Sequence, residues 1–170
     1  MSAEESTFAL KDEGIPQEHA DAANDEVEEM KTSRKPGSQP LMLLPHGKYT
    51  RKASNYFLES IRNTQAPKLA QLLETSDVEN RFVGSEPGAC VDLESPREQK
   101  SLRTDYVYTI LALNDMSYSN GLPAIGPNAA KFYLRKGEAL HFMGDQLQTW
   151  SGRGGGNLIW FYWRNLKVRK

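Results

Sequence analysis

Signatures of several common protein classes are missing from this 170-residue chain. One cysteine excludes an internal disulfide, and the lack of an apolar run of about 18 residues excludes a membrane-spanning helix. No Ser/His/Asp order, Walker loop, Rossmann fingerprint or Cys/His zinc spacing is present, and no two acids fall on recognisable facing strands. The polar, acidic start offers no apolar leader, so we expect an intracellular protein of the cytoplasm or nucleus.

A net charge of −1 conceals an uneven distribution of charge along the chain. Residues 1–30 hold ten Asp and Glu against one Lys, whereas the remainder holds twenty Lys and Arg against twelve acids. Residues 1–40 are also poor in aromatics, so they bury too little surface to offset the entropy lost on ordering. We therefore predict a disordered acidic tail over 1–40, which either solubilises the chain or folds back on a basic domain over 41–170.

Helical and strand patterns follow the tail. Apolar residues recur at helical spacing over 49–62, and Pro67 opens a second helical pattern over 67–75. Short apolar runs at 41–44 and 81–83 indicate strands. The stretch 84–103, which contains glycine, proline and many charges, indicates a loop around a short element at 89–93.

The last third of the chain has the clearest pattern. Apolar runs rich in β-branched and aromatic residues cover 104–113, 138–143 and 157–164, and a short strand at 130–135 precedes the second of them. The run at 157–164 is apolar on both faces, which is typical of a central strand covered on both sides. These features predict an α+β fold in which one or two helices precede antiparallel strands that form a sandwich or barrel.

The order of these runs resembles the core of the iron(II)/2-oxoglutarate oxygenases. Leu113–Asp115 with Gly121 is similar to a turn of that family, and Gly137–Phe142 is similar to the strand that follows it. The resemblance covers roughly residues 80–165. It implies a double-stranded β-helix, or jelly roll, with Fe(II) and 2-oxoglutarate as cofactors.

The same resemblance implies where metal ligands would lie. The family's iron needs two imidazoles and one carboxylate on one face. The matching positions here are Cys90, Asp92 and Thr149, so a thiol and a hydroxyl stand in place of the imidazoles. His141, in the following strand, is a candidate replacement ligand or else a hydrogen-bonded strand residue. Asp92 is alternatively a turn cap, and Cys90 is alternatively a buried core residue.

The family's arginine for the far carboxylate of 2-oxoglutarate would fall near the Gly154–Gly156 run. Arg153 is the nearest basic candidate for binding this cofactor, and Arg164 is the second. The glycine run itself favours a hairpin turn over a phosphate loop, because a strand and not a helix follows it.

Aromatic residues cluster near the end of the chain. Trp150, Trp160, Tyr162 and Trp163 form either a stacking platform for a sugar or base, or part of the core. Trp150, which lies beside the turn, is the best candidate for such a platform.

Three classes of function remain open. The loss of both imidazoles favours a catalytically degenerate oxygenase relative that acts by binding and has no cofactor, because ligation supplies a metal's binding energy. The alternatives are an active non-haem iron oxygenase that hydroxylates an unidentified substrate, and an unrelated β-sandwich interaction module. The partner would be a small molecule or a protein. The basic domain permits nucleic acid, but no motif supports it, and nothing indicates a membrane partner.

Overall fold

The computed structural model describes residues 9–64, 67–100 and 103–166. Its helices are α1 (Gln17–Thr32), α2 (Lys48–Thr64) and α3 (Pro67–Leu73), and short 3₁₀ helices cover Glu79–Arg81 and Tyr118–Asn120. The strands are β1 (Ala9–Asp12), β2 (Leu41–Leu43), β3 (Phe82–Cys90), β4 (Arg97–Gln99), β5 (Tyr106–Ala112), β6 (Met116–Ser117), β7 (Ala124–Ile125), β8 (Tyr133–Leu134), β9 (Ala139–Met143), β10 (Gln148–Trp150) and β11 (Asn157–Arg164).

The strands form a jelly roll. A six-stranded antiparallel sheet has the order β1-β9-β5-β11-β3-β2, and its inner face packs against a three-stranded sheet, β4-β10-β7, and a two-stranded sheet, β6-β8. Strand β11 lies between β5 and β3, which confirms the central strand predicted from its two apolar faces. The α+β jelly roll preceded by helices is therefore confirmed.

The two faces of the six-stranded sheet bury different clusters. Leu158 and Trp160 of β11 belong to the cluster between the sheets, whereas Ile159, Phe161 and Trp163 belong to the cluster beneath the helices. This alternation follows from the period of two along a strand. We call these the inner face and the helix face.

The prediction of a disordered tail is wrong for residues 9–12 and 17–32, while residues 1–8 lie outside the described part. Strand β1 pairs with β9, and α1 buries Ala20, Ala23 and Val27 with no exposed surface. The spacing of these three residues places them on one side of a helix, so a small apolar stripe packs while the acids face outward. The average composition of residues 1–40, on which the prediction of disorder was based, does not reveal such a stripe.

Acidic residues of α1 bind the rest of the fold. The Glu26 carboxylate accepts hydrogen bonds from the backbone N–H groups of Tyr49 and Thr50 at 2.9–3.1 Å, at the start of α2. Asp21 pairs with Lys136 at 3.0 Å. The acidic segment thus folds back on the basic part of the chain, which was one of the two alternatives predicted for it.

The loop predicted over 84–103 is also wrong in part, because residues 84–90 belong to β3 and 97–99 form β4. Pro87 lies within β3, opposite Ile159 of β11. Its carbonyl accepts from the Leu44 N–H at 2.9 Å, so the side of Pro87 that lacks an N–H faces the end of the short edge strand β2. Bonding to the long central strand is therefore not interrupted there.

The remaining helix predictions agree with the structure. Helix α2 covers the pattern at 49–62 and buries Ala53, Phe57 and Ile61, and α3 begins at Pro67. Within the described ranges, no helix is long and apolar enough to cross a membrane.

Candidate functional site

Cys90 ends β3 on the inner face, where it is buried. Its thiol donates to the Gly121 carbonyl at 3.4 Å, and burial raises the pKa of the Cys90 thiol to about 12. Gly121 has φ +115°, and a side-chain carbon there would lie 2.3 Å from the Cys90 Cβ. Backbone atoms therefore fill the space in front of this thiol.

Asp92 lies just beyond the strand in an exposed loop. Its Oδ1 accepts a hydrogen bond from the Gly154 N–H at 2.8 Å. The neighbouring Leu93 N–H donates to the Gly152 carbonyl at 2.8 Å. The carboxylate thus joins two loops, which is the turn-capping role that the sequence allowed.

Thr149 lies in the middle of β10. Its neighbours Gln148 and Trp150 are 5% and 3% exposed and line the space between the sheets. Because successive side chains of a strand point to opposite faces, Thr149 lies on the outer face, beside Glu98 of β4 in the strand register. A side chain at this position is directed away from Cys90.

His141 lies on the helix face, on the opposite side of the sheet from Cys90. It is fully buried, and its Nδ1 is 2.7 Å from the Thr109 hydroxyl, which also accepts from the Trp163 indole N–H at 2.9 Å. Its Nε2 lies 3.5 Å from an Asp12 carboxylate oxygen, and this contact lowers the pKa of the Asp12 carboxyl. The suggestion that His141 replaces a missing ligand is wrong, because the sheet separates it from the other candidates.

The side chains present do not fit the iron site of the oxygenases. Within residues 9–64, 67–100 and 103–166, no three His, Cys, Asp or Glu side chains lie close enough to hold a metal ion. Arg153 and Arg164, the candidates for 2-oxoglutarate, are both exposed and neither lines the cavity described next. The geometry therefore supports no reaction step through Fe(II).

A cavity of about 630 Å³ lies between the six-stranded and three-stranded sheets. Aromatic side chains of β5, β10 and β11 form much of its wall: Tyr108, Trp150, Trp160 and Tyr162. The remaining lining residues that the structure describes come from the segments around β2 and β4 and from β10: Gln39, Pro40, Leu41, Leu43, Gln99, Lys100, Arg103 and Gln148. We call this space the aromatic cavity.

The aromatic wall is a connected set of rings. The centroid of Trp160 lies 5.1 Å from that of Tyr108 and 6.4 Å from that of Trp150, with the two indole planes inclined by 27°. Tyr162 donates its hydroxyl to Glu86 at 2.7 Å. Burial, together with this bond to a carboxylate, raises the pKa of Tyr162 above its ordinary value, so the phenol stays neutral.

Two polar side chains at the cavity differ in whether they have a bonding partner. Arg103 lies 4.2 Å from the centroid of the Tyr106 ring and pairs with Asp105 at 3.2 Å, and this hydrogen bond lowers the pKa of Asp105. The Trp150 indole N–H is buried, and no described residue accepts a hydrogen bond from it. A buried donor without an acceptor is uncommon in folded proteins.

Sequence reasoning identified this cavity only in part. It offered Trp150, Trp160 and Tyr162 as a stacking platform, and all three line the cavity, whereas Trp163 lies on the helix face. It missed Tyr108 and the polar lining, because these residues meet only through strand pairing. The alternation of aromatic residues at 106 and 108 was the one available signal.

Several solved structures have a similar architecture. The Pseudomonas putida prolyl-4-hydroxylase matches with a TM-score of 0.61 at 12% identity over 92% of each chain. This chain has the jelly-roll fold of the iron(II)/2-oxoglutarate oxygenases. The α-ketoglutarate-dependent epimerase SnoN from nogalamycin biosynthesis matches this chain with a TM-score of 0.66 at 9% identity, over 93% of this chain and 78% of its own.

HygX from Streptomyces hygroscopicus, with nickel and 2-oxoglutarate bound, matches with a TM-score of 0.64 at 13% identity, over 94% of this chain and 84% of its own. No protein-family model and no curated protein sequence matches this chain. At these low identities the likeness shows the oxygenase-like fold and leaves the chemistry to be argued from the residues.

Proposed function

We propose that this oxygenase-like chain acts without iron, by binding a ligand in the aromatic cavity between its sheets. The fold provides a concave, largely apolar space of about 630 Å³ with a few polar groups, which is within the usual range of small-molecule sites. The candidate metal ligands, in contrast, have other structural roles.

The outward position of Thr149 carries this proposal. A metal site needs at least three donors directed at one point, roughly 2.0–2.3 Å from each donor atom. Thr149 lies on the face of β10 opposite Gln148 and Trp150, and the space before Cys90 is filled by Gly121. Asp92 is then the only candidate with a free carboxylate oxygen near this end of β3, and one carboxylate holds iron weakly.

Anaerobic isothermal titration with Fe(II), with and without 2-oxoglutarate, tests the proposal. We expect the wild-type protein to show no saturable Fe(II) binding with a Kd below about 100 µM, and no consumption of 2-oxoglutarate under air. The matched control is Cys90→His with Thr149→His, which supplies both imidazoles. We expect no gain in Fe(II) affinity, because neither position presents its side chain to Asp92.

Two results would contradict this proposal. Tight Fe(II) binding by the wild-type protein together with turnover of 2-oxoglutarate would make the active oxygenase the correct alternative. A gain of more than about tenfold in the double variant would mean that positions 90 and 149 both point at Asp92, so that two substitutions suffice to rebuild a metal site.

A further inference from the structure

We propose that the aromatic cavity binds a planar ring compound that carries a negative charge. This inference rests on the proposed function, because it names the ligand class of the same cavity. Nucleotides and small aromatic acids share this chemistry, and the experiment below distinguishes them.

The walls favour a ring. Trp150 and Trp160 line one space, with 3% and 7% of their surface exposed, and the ring centroid of Tyr108 lies 5.1 Å from that of Trp160. Aromatic side chains stack on planar rings, and each base stacked in this way adds about 1–3 kcal/mol of binding energy. A cavity of about 630 Å³ accommodates a ligand of mononucleotide size.

The charges at the cavity favour an anion. Lys100 and Arg103 line it, and none of its described lining residues is Asp or Glu. An aromatic pocket can also hold a quaternary ammonium group through cation–π attraction. Arg103 is already paired with Asp105 at 3.2 Å, so Lys100 is the lining cation that acts on a ligand. With no acid in the described lining, Lys100 opposes a cationic occupant and favours a negative group placed toward it.

The unpaired indole N–H points to an acceptor on the ligand. Trp150 is 3% exposed, lines the cavity, and its N–H has no partner among the described residues. A buried donor left unpaired destabilises the structure. The Trp150 nitrogen has less than 1 Å² of accessible surface, so the indole must turn slightly on binding to donate to a ring nitrogen or carboxylate oxygen, and that hydrogen bond would recover much of the loss. An anionic ring compound offers such acceptors.

Tryptophan fluorescence of the full-length chain measures binding directly, since two of its three tryptophans line the cavity. The probes are adenosine 5′-monophosphate and 4-hydroxybenzoate, one for each source of the shared chemistry. Adenosine lacks the charge, glucose 6-phosphate lacks the planar ring, and choline is a cation. We expect saturable quenching with one of the first two probes and weaker binding of all three comparison compounds.

Three variants assign the binding to the cavity. Trp150→Phe keeps an aromatic face but removes the N–H, and we expect the affinity to fall about tenfold. Lys100→Gln should weaken the charged probe by up to about fivefold and leave adenosine unchanged. Trp163→Phe makes the same change on the helix face and should leave the affinity as it is. If Trp150→Phe does not fold, Lys100→Gln and the comparison of the two adenine compounds still decide the question.

Each outcome separates this inference from the proposed function. Binding of choline or glucose 6-phosphate as tight as that of the planar anions would refute the assigned ligand class, yet leave a cavity that binds without iron. Failure of both planar anions to bind would also refute the class. Tight binding of Fe(II) in the separate titration would overturn the proposed function itself.

Discussion

Replacing Thr109 with valine removes a hydroxyl that joins two buried polar groups on the helix face. The hydroxyl oxygen accepts from the Trp163 indole N–H at 2.9 Å and lies 2.7 Å from His141 Nδ1. Thr109, His141 and Trp163 all have no exposed surface. The arrangement that satisfies all three has the hydroxyl donating to Nδ1, which leaves the His141 Nε2 proton facing Asp12.

Valine keeps the shape of threonine, so the loss is almost entirely polar. Each buried group left without a partner costs about 1–3 kcal/mol, and two groups are affected, so we expect Thr109→Val to lower the free energy of unfolding by about 2–6 kcal/mol. Thr109→Ser is the matched control. It keeps the hydroxyl and loses one methyl group, which costs about 1 kcal/mol.

Urea denaturation at neutral pH measures both variants, and the m-value shows whether the unfolded state has changed. The expected order of stability is wild type, then Thr109→Ser, then Thr109→Val. If the valine variant were as stable as the serine variant, or more stable, the hydroxyl would not be satisfying Trp163 and His141, and the network would have no energetic importance.

Two further predictions concern the first candidate ligand and the N-terminal segment. Because burial raises the pKa of Cys90 to about 12 from an ordinary 9.0, the folded state keeps a proton that the unfolded state releases, so stability should fall as pH rises above about 9. Relative to Cys90→Ala, the wild type should lose about 1 kcal/mol between pH 9 and 10 in urea denaturation, whereas parallel profiles would show an exposed thiol. Deleting residues 1–36 should lower the thermal midpoint by several degrees, since it removes β1, α1 and the Glu26 contacts to α2. An unchanged midpoint would mean that α1 contributes little.

The predictions that succeeded from the sequence depended on local periodicity. The run at 157–164 is apolar on both faces, and only a strand with neighbours and cover on both sides buries such a run. The helical pattern at 49–62 likewise reports one buried side of a helix. The failures were of the opposite kind. The alanine stripe of α1 is too weakly apolar to outweigh its acidic surroundings, and Pro87 is tolerated in β3 only because a short edge strand lies beside it.

Which face of each strand becomes the inner face was beyond the reach of the sequence. Alternation along a strand shows that Thr149 lies on the opposite face from Gln148 and Trp150. It does not show which face is inside, because a shift of one residue in strand pairing would exchange the two faces. The pairing partners of β10 lie far away in the chain. For the same reason, the sequence did not show that His141 and Cys90 lie on opposite sides of the sheet. The jelly-roll pattern, the central strand and the missing imidazoles were therefore readable from residue order, because they depend on neighbours in the chain. The closed space before Cys90 and the aromatic cavity depend on contacts between distant segments, and only the packing of the sheets creates them.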